Sequence, residues 1–330
     1  MFVDQYLVTR AEESTMSEQA SSTRSPKVGL FLPTGEIMFG SVTAGWSNLL
    51  ELARRAEDLD FDSLWVPDHF LLGSDDDSEP IGGWECWSLL AALAATTTRV
   101  ELGSLVSCTG YRNPSLLAKM ACTVDEISGG RLVLGLGAGW AESEYRAFGF
   151  PFDHRVDRFH DAIQIVSPLL REGHVDFEGT YYKARDCELR PTGPRGHGPP
   201  IMIGGSGPRM LGLTARYADA WNADFGSSPE SIRGLNDNVD AACREVGRDP
   251  TTLERSASLL VNVAGHARPG DNWVADARAG QTLSRSADEL ATALRAYADA
   301  GIGHVQVWLD PNTVAGIEAF APVLALLDDT

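Results

Sequence analysis

The sequence has few cysteines for its length, and they lie far apart. Five cysteines are spread over 330 residues, and none forms a Cys-x-x-Cys pair. A disulfide framework or a zinc knuckle uses closely spaced cysteines, so neither is indicated and we predict no bound metal. Unpaired cysteines are typical of a reducing compartment, and we therefore expect a cytoplasmic protein.

Positive charge and long apolar runs are also scarce. The chain has 27 Lys and Arg residues against 46 Asp and Glu residues, which gives a formal net charge of -19. Binding to nucleic acid or to an anionic membrane requires a cationic surface, so we expect neither as a partner. No stretch reaches the roughly 18 apolar residues of a transmembrane helix.

The first 26 residues are polar and lack the apolar stretch of a signal peptide. We predict that residues 1–26 form a disordered tail, within which Met16 is an alternative start. Residues 27–330 contain enough apolar side chains for one large core, and we expect them to form a single domain.

From Lys27 onward, short β-rich runs alternate with amphipathic stretches, the pattern of βαβ units on a parallel sheet. The predicted strands are 28–32, 63–66, 100–107, 132–136, 201–203, 218–221, 256–263 and 304–308. The predicted helices are 47–59, 84–96, 115–128, 155–170, 209–217, 229–246, 287–300 and 313–327. Eight strands, each followed by a helix, predict an α/β fold of the (β/α)8 TIM-barrel type.

Two stretches depart from this alternation. An insertion follows the fourth strand and its helix at about 175–200, with a hairpin predicted around 177–182 and prolines marking its return. The polar stretch 71–80 after the second strand is expected to form a mobile loop over the barrel mouth. Its run of aspartates lacks the glycine and the final glutamate of an EF-hand, so we interpret it as solvated charge.

A glycine-rich motif follows the fourth predicted strand. Gly135, Gly137 and Gly139 suggest a dinucleotide-binding loop, but Trp140 stands where the spacing of that fingerprint requires its last glycine. The motif also lies in mid-chain, whereas a Rossmann fold places its glycine loop after the first strand. A strand that leads through glycines into a helix start can bind an anion or can simply permit tight packing.

A second glycine motif, GGSGPR at 204–209, follows the fifth predicted strand. Glycines allow close approach of the backbone to an oxyanion, Ser206 adds a donor, and Pro208 occupies a position where no amide is needed. We interpret the motif as a phosphate site. The alternative is a plain connection that needs glycine backbone angles.

Asp68 and His69 follow directly after the second predicted strand, at the end of a barrel where catalytic groups collect. An imidazole can donate or accept a proton near neutral pH, so His69 is the candidate catalytic residue. The alternative is that Asp68 and His69 only close a loop through hydrogen bonds.

Taken together, these motifs resemble the luciferase-like monooxygenase family of flavin- and deazaflavin-dependent barrels, over nearly all of 28–327. The order and spacing of the motifs carry the resemblance more than any one of them. They are DSLWVPDH at 62–69, TRVELG at 98–103, NP at 113–114, SGGRLVLGLGAGW at 128–140, FG at 148–149, FEGTYY at 177–182, PIMIGG at 200–205 and RYADAWN at 216–222.

The resemblance implies a tricyclic cofactor across the barrel mouth, with a non-prolyl cis peptide between Leu105 and Val106 beneath its ring. The phosphate site and other cofactor contacts are implied at Asp68, Cys108, Ala138, Gly139, Ser143, Gly204, Gly205, Ser206, Gly207, Arg209, Met210 and Trp221. Cations expected to receive an anionic cofactor tail are Arg112, Arg146, Arg195 and Arg209. Aromatic walls are expected from Phe31, Phe70, Trp140 and Trp221, whereas Trp65, Trp87 and Trp308 are assigned to core packing.

By the same resemblance, the cofactor is coenzyme F420, with FMN as the alternative, and the activity is hydride transfer to or from a small-molecule substrate. Two other functions stay open: an FMNH2-dependent two-component monooxygenase, and a non-catalytic binder of a phosphorylated cofactor. A flavin or F420 reductase and a second copy of the chain are the implied partners.

The sequence departs from two branches of the family. Sugar-phosphate dehydrogenases have an acid after the glycine that corresponds to Gly139, and this chain has Trp140 there. The histidines and arginines typical of alkanesulfonate monooxygenases are not recognisable either. The resemblance therefore implies an oxidoreductase without naming its substrate.

Overall fold

The computed structural model describes residues 24–39, 42–72, 80–225, 228–263 and 283–328. The predicted disordered tail and Met16 lie almost wholly outside these residues and stay predictions. The end of that tail is packed, however, because Arg24 is 7% exposed and donates to the carbonyl of Asp60 at 2.8 Å. The ordered part therefore begins before Lys27, held by a partner that is distant in the sequence.

The described residues form fourteen strands. They are β1 (Lys27–Phe31), β2 (Ser63–Val66), β3 (Leu71–Leu72), β4 (Ile81–Gly82), β5 (Glu101–Ser104), β6 (Ser107–Cys108), β7 (Leu132–Gly137), β8 (His174–Glu178), β9 (Lys183–Glu188), β10 (Ile201–Gly204), β11 (Ala220–Ala223), β12 (Glu254–Val263), β13 (Leu283–Arg285) and β14 (His304–Asp310).

Eight of these strands close into a barrel. The order of parallel neighbours is β1, β2, β5, β7, β10, β11, β12 and β14, and β14 pairs again with β1. Each predicted strand overlaps one of the eight, so the predicted TIM barrel is confirmed. The prediction at 100–107 is wrong in one respect, because the chain leaves the sheet between β5 and β6. We call the end formed by the carboxyl termini of the eight strands the mouth.

The helices lie outside the barrel. Those in the described residues are α1 (Trp46–Asp58), α2 (Cys86–Thr96), α3 (Pro114–Ser128), α4 (Glu142–Phe148), α5 (Arg155–Glu172), α6 (Pro208–Tyr217), α7 (Pro229–Glu245), α8 (Ala287–Asp299) and α9 (Val314–Asp328). All eight predicted helices are present, and α4 is an additional short one after the first glycine motif. The start of α3 shows why boundaries could be predicted: Asn113 accepts from two backbone amides and Pro114 opens the helix.

The interior of the barrel is filled below the mouth. Trp65 is 1% exposed, and a Cβ atom on Gly29 or Gly103 would lie 2.4 Å or 2.2 Å from its indole. These two glycines therefore leave the space that the indole occupies. A filled interior leaves the mouth as the place for a ligand.

The irregular stretches lie outside this barrel. The predicted hairpin is confirmed as β8 and β9, which pair antiparallel and turn between Gly179 and Tyr182. The predicted loop at 71–80 begins with β3, which pairs with β4 directly after the loop, and residues 73–79, with the aspartate run, lie outside the described residues. Within the described part of the chain, no helix is both long and apolar enough to cross a membrane.

Candidate active site at the barrel mouth

Asp68 ties two loops of the mouth together. Arg112 binds both of its carboxylate oxygens, at 2.6 Å and 2.9 Å, and the amide of Cys108 donates to it at 3.1 Å. Burial by itself would lower the pKa of Arg112, but the hydrogen bonds and charge of Asp68 raise it above its usual value. Both carboxylate oxygens of Asp68 thus accept hydrogen bonds from the protein. For this residue the structure shows the loop-closing hydrogen bonds of the alternative interpretation.

His69 is held by a buried carboxylate. Its Nδ1 lies 2.8 Å from Oε2 of Glu144, whose side chain is 0% exposed, while that of His69 is 28% exposed. The amides of Phe70 and Leu71 donate to Oε1 of the same carboxylate, at 2.7 Å and 2.9 Å. The hydroxyl of Tyr111 donates to Oε2 at 2.9 Å. The carboxylate therefore fixes both the loop and the imidazole.

The surroundings of Glu144 determine which nitrogen of His69 is available. Burial by itself would raise the pKa of Glu144, but the hydrogen bond and charge of His69 and the other donors lower it below its usual value. An ionised carboxylate only accepts hydrogen bonds, so Nδ1 of His69 carries the hydrogen. In the neutral imidazole the lone pair is then on Nε2, which can take up a proton.

Trp140 covers one side of this imidazole. Its ring lies edge-on to that of His69, with centroids 5.5 Å apart and an interplanar angle of 71°. The indole is 65% exposed, so it forms part of the rim of the mouth. Where the family's sugar-phosphate dehydrogenases are expected to have an acid, this chain therefore has an aromatic ring beside His69.

The peptide bond between Leu105 and Val106 is cis, as the resemblance implies. Val106 lies across the ends of neighbouring strands: a Cβ atom on Gly137 would be 2.7 Å from its Cγ2, and one on Gly204 would be 3.4 Å away. Gly137 thus leaves the space for this side chain. The result is a partly buried apolar floor over β5, β7 and β10.

The first glycine motif forms one edge of this floor. Gly139 has φ +76°, and a Cβ atom on it would lie 2.1 Å from the hydroxyl of Tyr145. That hydroxyl contacts Sγ of Cys108 at 2.8 Å and the carbonyl of Ala138 at 2.9 Å. Burial raises the pKa of Cys108 to about 11, so it is a protonated thiol. Ala138, Gly139 and Ser143 are partly exposed at the mouth, whereas Cys108 is 5% exposed.

The second glycine motif connects β10 to α6. Ser206, Gly207 and Arg209 are exposed, whereas Met210 is 8% exposed. No described side chain caps the start of α6, and Gly205 has φ +119°. Open amides at a helix start are suited to an anion, so the geometry is compatible with the predicted phosphate site.

Trp221 supports this loop from behind. Its side chain is 0% exposed, and its Nε1 donates to the carbonyl of Gly205 at 3.0 Å. A fully buried ring offers no surface to a cofactor, so the predicted direct contact and aromatic wall are corrected to a supporting position. Sequence alone could not show that the indole points toward the helices.

One of the four predicted cations lies away from the mouth, and another is already bound by a carboxylate. Arg195 binds Asp125 and the carbonyl of Leu132, the first residue of β7, so it lies at the opposite end of the barrel. The guanidinium of Arg112 is bound by Asp68 at the mouth, as described above. The exposed Arg209, which pairs with Asp157, and the exposed Arg146 also lie on the mouth side.

Two groups of aromatic rings line the mouth. Phe31 stacks on Trp308 with centroids 4.7 Å apart, and Phe225 lies edge-on to each at 5.9 Å. Trp308 was expected to be core, and its 6% exposure confirms this; it packs in a buried cluster inside the barrel, together with Leu105. The second group surrounds Phe70 and is formed with Tyr111, Tyr145, Phe148, Phe150 and Phe152.

The described residues contain no cluster of three or more His, Cys, Asp or Glu side chains that could hold a metal ion. A comparison with known families gives one decisive match, in which the model for luciferase-like monooxygenases covers residues 26–297. The chain belongs to this family.

Individual relatives of this luciferase-like chain carry different activities. It is 33% identical over 223 residues to an F420-dependent glucose-6-phosphate dehydrogenase of Amycolatopsis mediterranei, covering 64% of each chain. It is also 33% identical over 173 residues to the pyrimidine monooxygenase RutA of Bradyrhizobium sp., covering 50% of this chain and 47% of the relative. The chain spans less than two thirds of the length of the curated relatives it matches.

A solved structure shares the fold of this luciferase-like chain. An F420-dependent secondary alcohol dehydrogenase, in complex with an F420-acetone adduct, superposes with a TM-score of 0.77. The two chains are 22% identical, and the match covers 92% of this chain and 99% of the other. At that identity the likeness supports the barrel fold alone.

Sequence reasoning missed Glu144, which orients the predicted catalytic histidine. The available signal was its position shortly after the first glycine motif, in the first turn of a helix that follows a strand end. Tyr111 and Tyr145 were missed as well, because nothing local to either residue indicates that its hydroxyl meets a carboxylate or a thiol at the mouth.

Proposed function

We propose that this protein is an oxidoreductase that binds coenzyme F420 at the barrel mouth and transfers a hydride to or from a small organic substrate. The observation that carries the proposal is the pair of His69 and buried Glu144, placed at the same mouth as the floor of Val106. The pair supplies a proton-exchanging nitrogen where the family binds its ring.

The residues of the mouth fit such a cofactor. Leu105 and Val106 would support the ring, and Ala138, Gly139 and Ser143 would lie along one edge. The phosphate would bind at 204–210, where the start of α6 has no side-chain cap among the described residues. Gly137 leaves the space that the side chain of Val106 occupies, and Gly204 lies beside that side chain.

A deazaflavin, when bound, accepts or donates a hydride, which is one proton with two electrons. An alcohol that loses a hydride from carbon must also lose its hydroxyl proton, and Nε2 of His69 would take that proton. Glu144 stabilises the imidazolium that forms, because it is ionised and 2.8 Å from Nδ1. In the reverse direction Nε2 would return the proton to the carbonyl oxygen.

F420 is favoured over FMN because a relative at 33% identity is named as F420-dependent. An FMN-dependent monooxygenase is the second candidate, supported by the relative named as a pyrimidine monooxygenase. The same proposal includes a flavin or F420 reductase as a partner, a homodimer and a cytoplasmic location.

Equilibrium titration of the full chain with F420 and with FMN tests the cofactor. We expect tighter binding of F420, and much tighter binding of FMN would overturn the choice. The variant His69→Ala should bind the same cofactor but lose hydride transfer in a screen of alcohols and ketones. His160→Ala, on the exposed face of α5, is the matched control and should behave like the native protein. A native protein that binds F420 and turns over nothing in that screen would favour the non-catalytic binder.

A further inference from the structure

We propose that the mouth contains a binding subsite over β14 and β1, built on Trp308, that takes an uncharged apolar molecule carrying a carbonyl or hydroxyl oxygen. The subsite itself is argued from packing and charge. Calling its ligand the substrate rests on the proposed function.

The indole of Trp308 carries a buried donor without a partner. Its ring stacks on Phe31 with centroids 4.7 Å apart and an interplanar angle of 18°. Nε1 is buried and makes no hydrogen bond with any described residue. A buried unpaired N–H is unfavourable, and other buried indoles of the protein have partners: Nε1 of Trp65 on β2 and of Trp87 on α2 donate to serine hydroxyls at 2.7 Å and 3.0 Å. An oxygen acceptor on a ligand would satisfy the Trp308 donor.

The charges described around this subsite favour an uncharged ligand over an anionic one. In the described residues of the loops that follow β14, β1 and β2 there is no Lys or Arg; the acids there are Glu36, Asp68 and Glu85, and Asp310 ends β14 itself. Arg112 reaches this sector from the loop after β6, but Asp68 and Glu85 bind its guanidinium. Within the described residues of these three loops a phosphorylated ligand would find no available cation, so an uncharged one is favoured.

The position of the subsite fits a substrate of the proposed reaction. In the barrel order, β14 and β1 precede β2, and His69 follows the end of β2. The floor of Val106 covers the other strands β5, β7 and β10. A molecule on Trp308 would therefore occupy the sector beside His69 and leave the floor to the cofactor. Trp140, at the rim next to His69, extends the apolar surroundings.

Phe225 controls access to Trp308. It packs edge-on against both Phe31 and Trp308, and it is itself partly exposed, whereas those two rings are 3% and 6% exposed. We therefore expect a ligand that reaches Nε1 to displace this ring. Phe225→Ala is therefore expected to bind such a ligand at least as tightly as the native protein does.

The experiment uses acetophenone and ethylbenzene, which are similar in shape but differ in the carbonyl oxygen. The full chain is labelled with ¹⁵N, and the indole N–H signal of Trp308 is assigned from the variant Trp308→Phe. We expect acetophenone to shift that signal and to bind about fivefold more tightly than ethylbenzene, the size of effect of one neutral hydrogen bond. Trp308→Phe should bind both probes equally.

Trp84→Phe is the matched control, since Nε1 of Trp84 already donates to the carbonyl of Ala44 at 2.8 Å. It should keep the fivefold preference. The proposal is overturned if acetophenone leaves the Trp308 signal unmoved, if Trp308→Phe keeps the preference, or if neither probe binds the native protein or Phe225→Ala. If the native protein binds acetophenone as expected but does not bind F420, the proposed function is refuted and the subsite proposal stands.

Discussion

Replacing Glu144 by glutamine should change which nitrogen of His69 carries the hydrogen. Oε1 of the glutamine can still accept from the amides of Phe70 and Leu71, which lie 2.7 Å and 2.9 Å from it in the native protein. The amide nitrogen would then stand where Oε2 lies, 2.8 Å from Nδ1 of His69. Because that nitrogen is a donor, Nδ1 must become an acceptor and the hydrogen moves to Nε2.

The size of this effect follows from the charge of the carboxylate. A hydrogen bond to a charged acceptor contributes about 1.5–3 kcal/mol, which favours the Nδ1–H form of His69 roughly tenfold or more in the native protein. In Glu144→Gln the preference reverses. Nε2 then has no lone pair for a substrate proton, and we expect hydride transfer to fall by about 10²–10⁴-fold, the usual contribution of a general base.

The tautomer can be measured without knowing the substrate. Long-range ¹H–¹⁵N correlation spectra of histidine-labelled protein distinguish the two forms, and His69→Gln assigns the signal. Tyr111→Phe is the control, because it removes one donor but keeps the carboxylate, so its tautomer should match the native one. The same tautomer in the native protein and in Glu144→Gln would refute the assignment of Nε2 as the proton acceptor.

Three further predictions concern stability and cofactor binding. Burial lowers the pKa of His304 from 6.5 to about 3, so the unfolded chain takes up a proton below pH 6.5 while the folded chain does not. This residue should therefore lower the unfolding free energy by about 2 kcal/mol between about pH 7 and pH 5. Denaturation curves of His304→Gln should lack that part of the fall. If the variant and the native protein show the same pH dependence, the prediction is wrong. Gly139→Ala should lower the unfolding free energy by more than about 1 kcal/mol, because φ is +76° and the added Cβ meets Tyr145, and an equal denaturation midpoint would contradict this. Trp221→Phe removes the hydrogen bond to Gly205 and should weaken F420 binding about fivefold in a titration, whereas unchanged affinity would remove the supporting role of Trp221.

Much of the fold could be predicted because its signals are local. Strands and helices follow from the spacing of apolar side chains, from caps such as Asn113 and from glycines that end elements, all of which are read within a few residues. The end of β5 was less predictable, because residues 105 and 106 continue an apolar run while the backbone turns away from the sheet. The order of the strands then places the residue after each strand at one end of the barrel.

The sequence by itself determined the eight strand-helix units, the two glycine motifs and the position of His69 at a strand end, since each depends on neighbours along the chain. Only the tertiary structure decided that His69 meets Glu144, that Trp221 lies behind the loop it was expected to line, and that Arg195 is at the far end of the barrel. These outcomes depend on contacts between residues far apart in sequence, which arise when the sheet closes. Side-chain direction at such contacts is set by that packing, and the order of residues along the chain does not encode it locally.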